Sequence, residues 1–74
     1  MIKMNSLPEG MTGRIIKTDK INLHLSDFGI IEGTQIKCVK KSKDIGAYLI
    51  KGCVIALRDE ECSKITIEIG DENG

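Results

Sequence analysis

The chain reads as a mainly β fold: a small five-stranded barrel, closed or partly open, with one short helix inserted and a helical turn near the C-terminus. Three observations predict it. Short β-branched runs recur between glycine-containing turns at close spacing, the pattern of small all-β domains. Isoleucine is the commonest apolar residue and suits a pleated surface better than a helix. Only one segment, Asp19–Phe28, carries apolar residues at helical rather than alternating spacing.

Taken in order, Met1–Gly10 reads as a lead-in, with a turn at Leu7-Pro8-Glu9-Gly10 where Pro8 fixes φ and Gly10 is free to go positive. Thr12–Thr18 is the first strand, and Gly13 near its start permits a close backbone approach or a bulge. Asp19–Phe28 follows as the helix. Thr18 or Asp19 is placed to cap it, and Ile21, Leu25 and Phe28 fall at i, i+4 and i+7 on one stripe. Gly29 is placed to end it in the left-handed conformation. Such a short helix is marginal alone and must be held by packing.

Ile30-Ile31-Glu32-Gly33 turns the chain into a second strand, Thr34–Lys41, with Ile36 and Cys38 on one face. Ala47–Lys51 and Val54–Leu57 are the third and fourth strands, divided by a turn at Gly52. Asp59–Ser63 forms one helical turn. Ile65, Ile67 and Ile69 alternate with Thr66 and Glu68, which marks a half-buried final strand. Residues 70–74 are an acidic tail without core residues. The 74 residues make one domain, with its core between about 7 and 69. A domain of this length has a thin core. With aromatics at 3%, that core is built from aliphatic side chains around two rings, Phe28 and Tyr48.

Composition narrows the function. Eleven basic and eleven acidic side chains cancel, which argues against a nucleic-acid binder. The basic run from Lys37 to Lys43 reads as a solvated edge. Three cysteines, Cys38, Cys53 and Cys62, are an odd number without a CxxC pair, and the first ten residues lack the apolar core of a leader. No run approaches the roughly 20 apolar residues that span a bilayer. These features point to a soluble protein of a reducing cytoplasm, with no direct membrane insertion.

No nucleophile elbow, phosphate loop or dinucleotide fingerprint is present, so the chain is not expected to be an enzyme. The Asp59-Glu60-Glu61 run reads as complementing a helix N-terminus. His24 with the three cysteines offers soft metal ligands, but the spacing matches no zinc knuckle. The three cysteines read as small core residues, and no cofactor or metal site is assigned.

The order Gly13-Arg14-Ile15, then Ile21, Leu25, Phe28-Gly29-Ile30 and Gly33-Thr34, then Ala56-Leu57-Arg58 before an acidic turn and a β-branched strand, resembles the FeoA family. The resemblance spans about residues 7–69. It implies an SH3-like barrel with a helical insertion, like the C-terminal domain of iron-dependent repressors. It further implies a non-enzymatic cytosolic accessory of bacterial ferrous-iron uptake, one that binds the cytosolic GTP-binding part of the FeoB-type permease. Gly13, Phe28, Gly29 and Gly33 are then the structural turn residues. Leu23 and His24 are the candidate partner contact, standing where the family is usually arginine-rich. Cys38 and Cys62 stand where it has small or aliphatic residues. The alternative is a free-standing transition-metal-binding or metal-sensing domain using His24 and one or more of the cysteines. A thin barrel with open edges also allows a homodimer.

Overall fold

The computed structural model describes residues 1–19 and 24–70. Among the described residues, six strands and two short α-helical segments follow in the order β1 (Ile2–Lys3), β2 (Thr12–Thr18), α1 (His24–Asp27), β3 (Gln35–Lys41), β4 (Ile45–Ile50), β5 (Cys53–Arg58), α2 (Asp59–Cys62) and β6 (Ile65–Ile69). All strand pairs are antiparallel, in the order β1-β6-β2-β3-β4-β5. The sheet stays open, with β1 and β5 at its edges. The five strands expected from sequence are all present, with one more, β1, ahead of them.

The first ten residues are part of the fold and not a lead-in. Ile2 pairs with Ile67 and Lys3 with Thr66, and a 3₁₀ turn at Met4–Ser6 follows. Met4 and Leu7 are fully buried. A domain with so little interior draws on its first residues to complete the core. The core joins Met4, Leu7, Ile15, Leu25, Ile30, Ile36, Tyr48, Ile50, Leu57, Ile65 and Ile67 with Cys38 and Cys62. Ile65 and Ile67 face inward while Glu68 faces solvent, as the alternation in β6 requires.

Two register shifts bend the sheet around this core, one in β2 between Ile15 and Lys17 and one in β3 between Cys38 and Lys40. Bulges of this kind raise local twist and let a small sheet wrap its interior. Gly13 lies under β6: a Cβ there would stand 3.0 Å from Ile67 Cδ1 and 3.1 Å from the Glu68 carbonyl oxygen. The close approach foreseen at Gly13 is therefore real.

The predicted helix over Asp19–Phe28 is represented among the described residues by α1, and Ile21 lies outside them. Its end is well defined. Ile30 N–H donates to the Leu25 carbonyl at 3.1 Å and Gly29 N–H to the Ser26 carbonyl at 3.0 Å. These are the two bonds of a Schellman motif, with Gly29 at the left-handed position, φ 96°. Leu25 and Ile30 are both buried, the apolar contact that accompanies this cap. Next, Thr34 N–H donates to Ile31 at 3.2 Å, closing a turn with Gly33 at φ 91°. Gly33 N–H reaches the Ile15 carbonyl at 2.7 Å, and Ile15 N–H reaches Thr34 at 2.9 Å. The turn is thereby stitched to β2 before β3 begins.

Phe28 corrects the sequence reading. It follows the last helical residue, and its ring is 51% exposed, so it does not continue the Leu25 stripe into the core. Tyr48 is the one ring in the core cluster.

Gly29→Val forces a branched side chain into a left-handed backbone and against the Lys51 side chain, whose Cδ lies 3.0 Å from an ideal Cβ. The expected loss is about 1 kcal/mol or more. A urea titration followed by circular dichroism should show the midpoint fall with the slope unchanged.

Candidate interaction surface

Outward-facing apolar groups collect around the 28–35 turn. Phe28 and Ile31 are both about half exposed. Opposite them stands the β4–β5 hairpin, whose two turn residues, Lys51 and Gly52, have φ 49° and 81°. Positive φ at both central positions marks a type I′ turn, which matches the twist of a two-residue hairpin. The stem of Lys51 lies over Gly29. The missing Cβ at position 29 thus serves twice, allowing the left-handed cap and leaving room for Lys51.

Between the two features lies an open groove of about 330 Å³, lined by Thr12, Gln35, Ile36, Lys37, Leu49 and Lys51 among others. Past Gln35 and Lys51 it continues into a shallower hollow lined by Ile31, Glu32, Gly33 and Thr34. Lys37 and Lys51 bring positive charge to the main groove, and Leu49, 37% exposed, gives it an apolar floor. Period-two alternation places Lys37 and Leu49 opposite each other on the outer face, as paired residues of β3 and β4. The arrangement suits an extended segment that carries acidic and aliphatic side chains.

The sequence-predicted contact residues fare differently. Leu23 lies outside the described residues, and so does the His24 side chain, although His24 opens α1. Gly33 lines the adjoining hollow, Gly29 lies under the Lys51 stem, and Phe28 precedes Gly29 in sequence. Gly13 sits away from it, under β6. Lys51 and Gln35 were missed by sequence reasoning. The signal for Lys51 was its place before Gly52 between two β-branched runs, a hairpin position that projects its side chain out of the sheet.

The cysteines divide. Cys38 and Cys62 are fully buried, as expected, but Cys53 is exposed. Cys53 directly follows the hairpin turn and begins an edge strand, so only β4 flanks it among the described strands. Cys38 donates to the Lys40 carbonyl at 3.9 Å, and burial pushes its thiol up, with Glu9 adding to the rise and Lys41 opposing it. Burial also pushes the Cys62 thiol up to about 11, against a hydrogen bond with Tyr48 that pulls it down. Tyr48 is raised for the same first reason, loss of solvent around its hydroxyl. Both buried thiols pack within the core cluster. Among the described residues, no three His, Cys, Asp or Glu side chains converge on a point that would hold a metal ion. No described helix is long and apolar enough to cross a membrane.

With this architecture in view, comparison with known proteins settles the family. The FeoA domain model matches residues 2–69. The chain belongs to the FeoA family. Its match begins at residue 2, in agreement with the burial of Met4 and Leu7. Among solved structures, an FeoA-like protein from Clostridium acetobutylicum is 25% identical, covering 92% of this chain and 85% of its own, with a TM-score of 0.82. FeoA from Stenotrophomonas maltophilia, solved with zinc and described as a prokaryotic SH3 domain protein, is 14% identical, covering 92% and 91%, with a TM-score of 0.81. T. acidophilum IdeR is 29% identical and covers 93% of this chain, but only 34% of its own chain is matched, with a TM-score of 0.78. No protein of curated function matches the sequence. The fold is therefore SH3-like and mainly β, with the sheet left open.

The Cys62 shift carries a pH dependence. Its folded value lies above the ordinary 9.0, so folding disfavours the thiolate. The associated stability is complete below about pH 9 and is lost as pH rises toward about 11. The loss is on the order of 2 kcal/mol at most. Urea midpoints between pH 8 and 11 should fall more steeply for the parent than for Cys62→Ala.

Proposed function

We propose that this FeoA-family chain is a non-enzymatic cytosolic accessory of ferrous-iron uptake. It binds the cytosolic GTP-binding part of a FeoB-type permease and regulates transport through that contact. The observation that carries this reading is the FeoA domain match over nearly the whole chain. The description of the Stenotrophomonas maltophilia neighbour as a candidate bacterial ferrous-iron transport activating factor supports it.

The groove beside Lys51 supplies the contact. It combines a fixed cation, a second lysine and an apolar floor on rigid strands, which is what an acidic, aliphatic segment of a partner needs. A groove of this size gives a small, reversible interface rather than an obligate one. Leu23 and His24 are the second proposed contact. Regulation then follows from differential affinity: the chain shifts the permease between nucleotide states only as far as it binds one better than the other.

Calorimetric titration against the permease's cytosolic domain, loaded in turn with GDP and a GTP analogue, tests this. The parent should bind in at least one state with Kd below roughly 100 μM, and Lys51→Glu should weaken it by about tenfold or more. Absence of binding in both states overturns the reading. Undiminished binding by Lys51→Glu removes the groove from it.

A further inference from the structure

We propose that β5 is a self-pairing edge, and that two copies of this chain associate by antiparallel β5–β5 addition into one continuous sheet.

The two edges of the sheet are not alike. β1 has two residues, one of them Lys3, and such a short charged edge resists pairing. β5 runs six residues in unbroken register with β4, from Ile50 opposite Cys53 to Ile45 opposite Arg58. It has no bulge, no proline and no lysine, and its first five residues are Cys53, Val54, Ile55, Ala56 and Leu57. Val54 is 61% exposed. The devices that normally guard an edge are missing here.

Backbone direction fixes what this edge offers. Asp59 N–H donates to the Asp44 carbonyl at 2.9 Å, on the β4 side, whereas Arg58 N–H turns away from β4 and donates to Glu61 Oε1 at 3.4 Å. Groups alternate along a strand, so Cys53, Ile55 and Leu57 bond to β4, while the N–H and C=O of Val54 and Ala56 point outward. Since β5 ends the sheet, no strand among the described residues takes them up.

One antiparallel register satisfies all of these groups. With Ile55 opposite its own copy, Val54 faces Ala56 of the second copy and exchanges both backbone bonds with it. The two-fold axis repeats the exchange. Every outward donor and acceptor of Val54 and Ala56 is then used, and Arg58 keeps its bond to Glu61. Ile55 is half-buried in one copy and packs on the core; the second Ile55 covers the rest. Leu49, paired with Val54 on the outer face, continues the apolar stripe.

Charge selects a second copy in this orientation. β5 is preceded by Lys51 and followed by Asp59, Glu60 and Glu61. Antiparallel pairing sets the basic end of one strand beside the acidic end of the other, with Lys51 opposite Asp59 of the second copy. Parallel pairing would stack like charges. A self-complementary patch of this kind gives a closed two-fold dimer.

Sedimentation velocity on the full chain, from about 10 μM to roughly 1 mM, tests the proposal. The parent should shift with concentration from its 8.1 kDa monomer mass toward twice that value. Ala56→Pro removes an outward N–H that β4 does not use, a substitution edge strands accept, and should weaken association by at least tenfold. If Ala56→Pro fails to fold, charge reversal carries the test. Asp59→Lys should weaken association by a similar factor, and adding Lys51→Glu should restore it. A parent chain monomeric at every concentration overturns the proposal and leaves β5 for a strand from another protein. Dimers of Ala56→Pro, or of Asp59→Lys, as stable as the parent's overturn it as well.

Discussion

The reversal at Gly29 is the constraint on which the rest of the structure depends. A left-handed residue there closes the Schellman motif, and this alone sends Ile30 back into the core under Leu25. The next turn then delivers Gly33 and Thr34 to Ile15, so β3 enters in register with β2. A chain with so thin an interior has little capacity to compensate for a misdirected segment. The glycine also clears space for the Lys51 stem, which ties the far hairpin to the same place. Local backbone geometry, core closure and the shape of the groove thus share one residue.

Around that point the molecule separates packing from recognition. Its interior is aliphatic, with one tyrosine and two cysteines, and no charged side chain is buried among the described residues. Its few buried polar side-chain atoms include Asn5 Oδ1, which has no hydrogen-bond partner among the described residues, and the Tyr48 hydroxyl near the Cys62 thiol. Gly46 makes room for that ring, since a Cβ there would stand 2.9 Å from Tyr48. Chemistry is thereby sealed inside, while the outer face carries lysines and aliphatic groups on strands that hold their shape. This is the division expected of a binding module, in which specificity comes from surface placement rather than reactive groups.

How much of this was legible in the sequence depends on how local each signal is. Gly29 and Gly33 could be read because a helix stop and a tight turn have short-range chemistry. The strand Ile65–Ile69 could be read because one buried face imposes alternation. Met4 and Leu7 could not, since their burial comes from β6 and the 3₁₀ turn, and two isolated residues show no period. Phe28 looked like a core residue because helical spacing was extended one position past the end of the helix. Cys53 looked like one because cysteine is usually buried, yet an edge strand leaves it bare. Lys51 owes its importance to Gly29, twenty-two positions away in sequence, a contact that no periodicity encodes.

The central claim is that recognition lies on the groove between the 28–35 turn and the Lys51 hairpin. Chemical-shift mapping of the isotope-labelled chain, titrated with the unlabelled permease cytosolic domain, tests it most directly. The account predicts that the largest perturbations fall on Ile31, Gln35, Lys37, Leu49 and Lys51 and are small on α2 and β6. Perturbations centred on α2 or β6, with the groove silent, would contradict it.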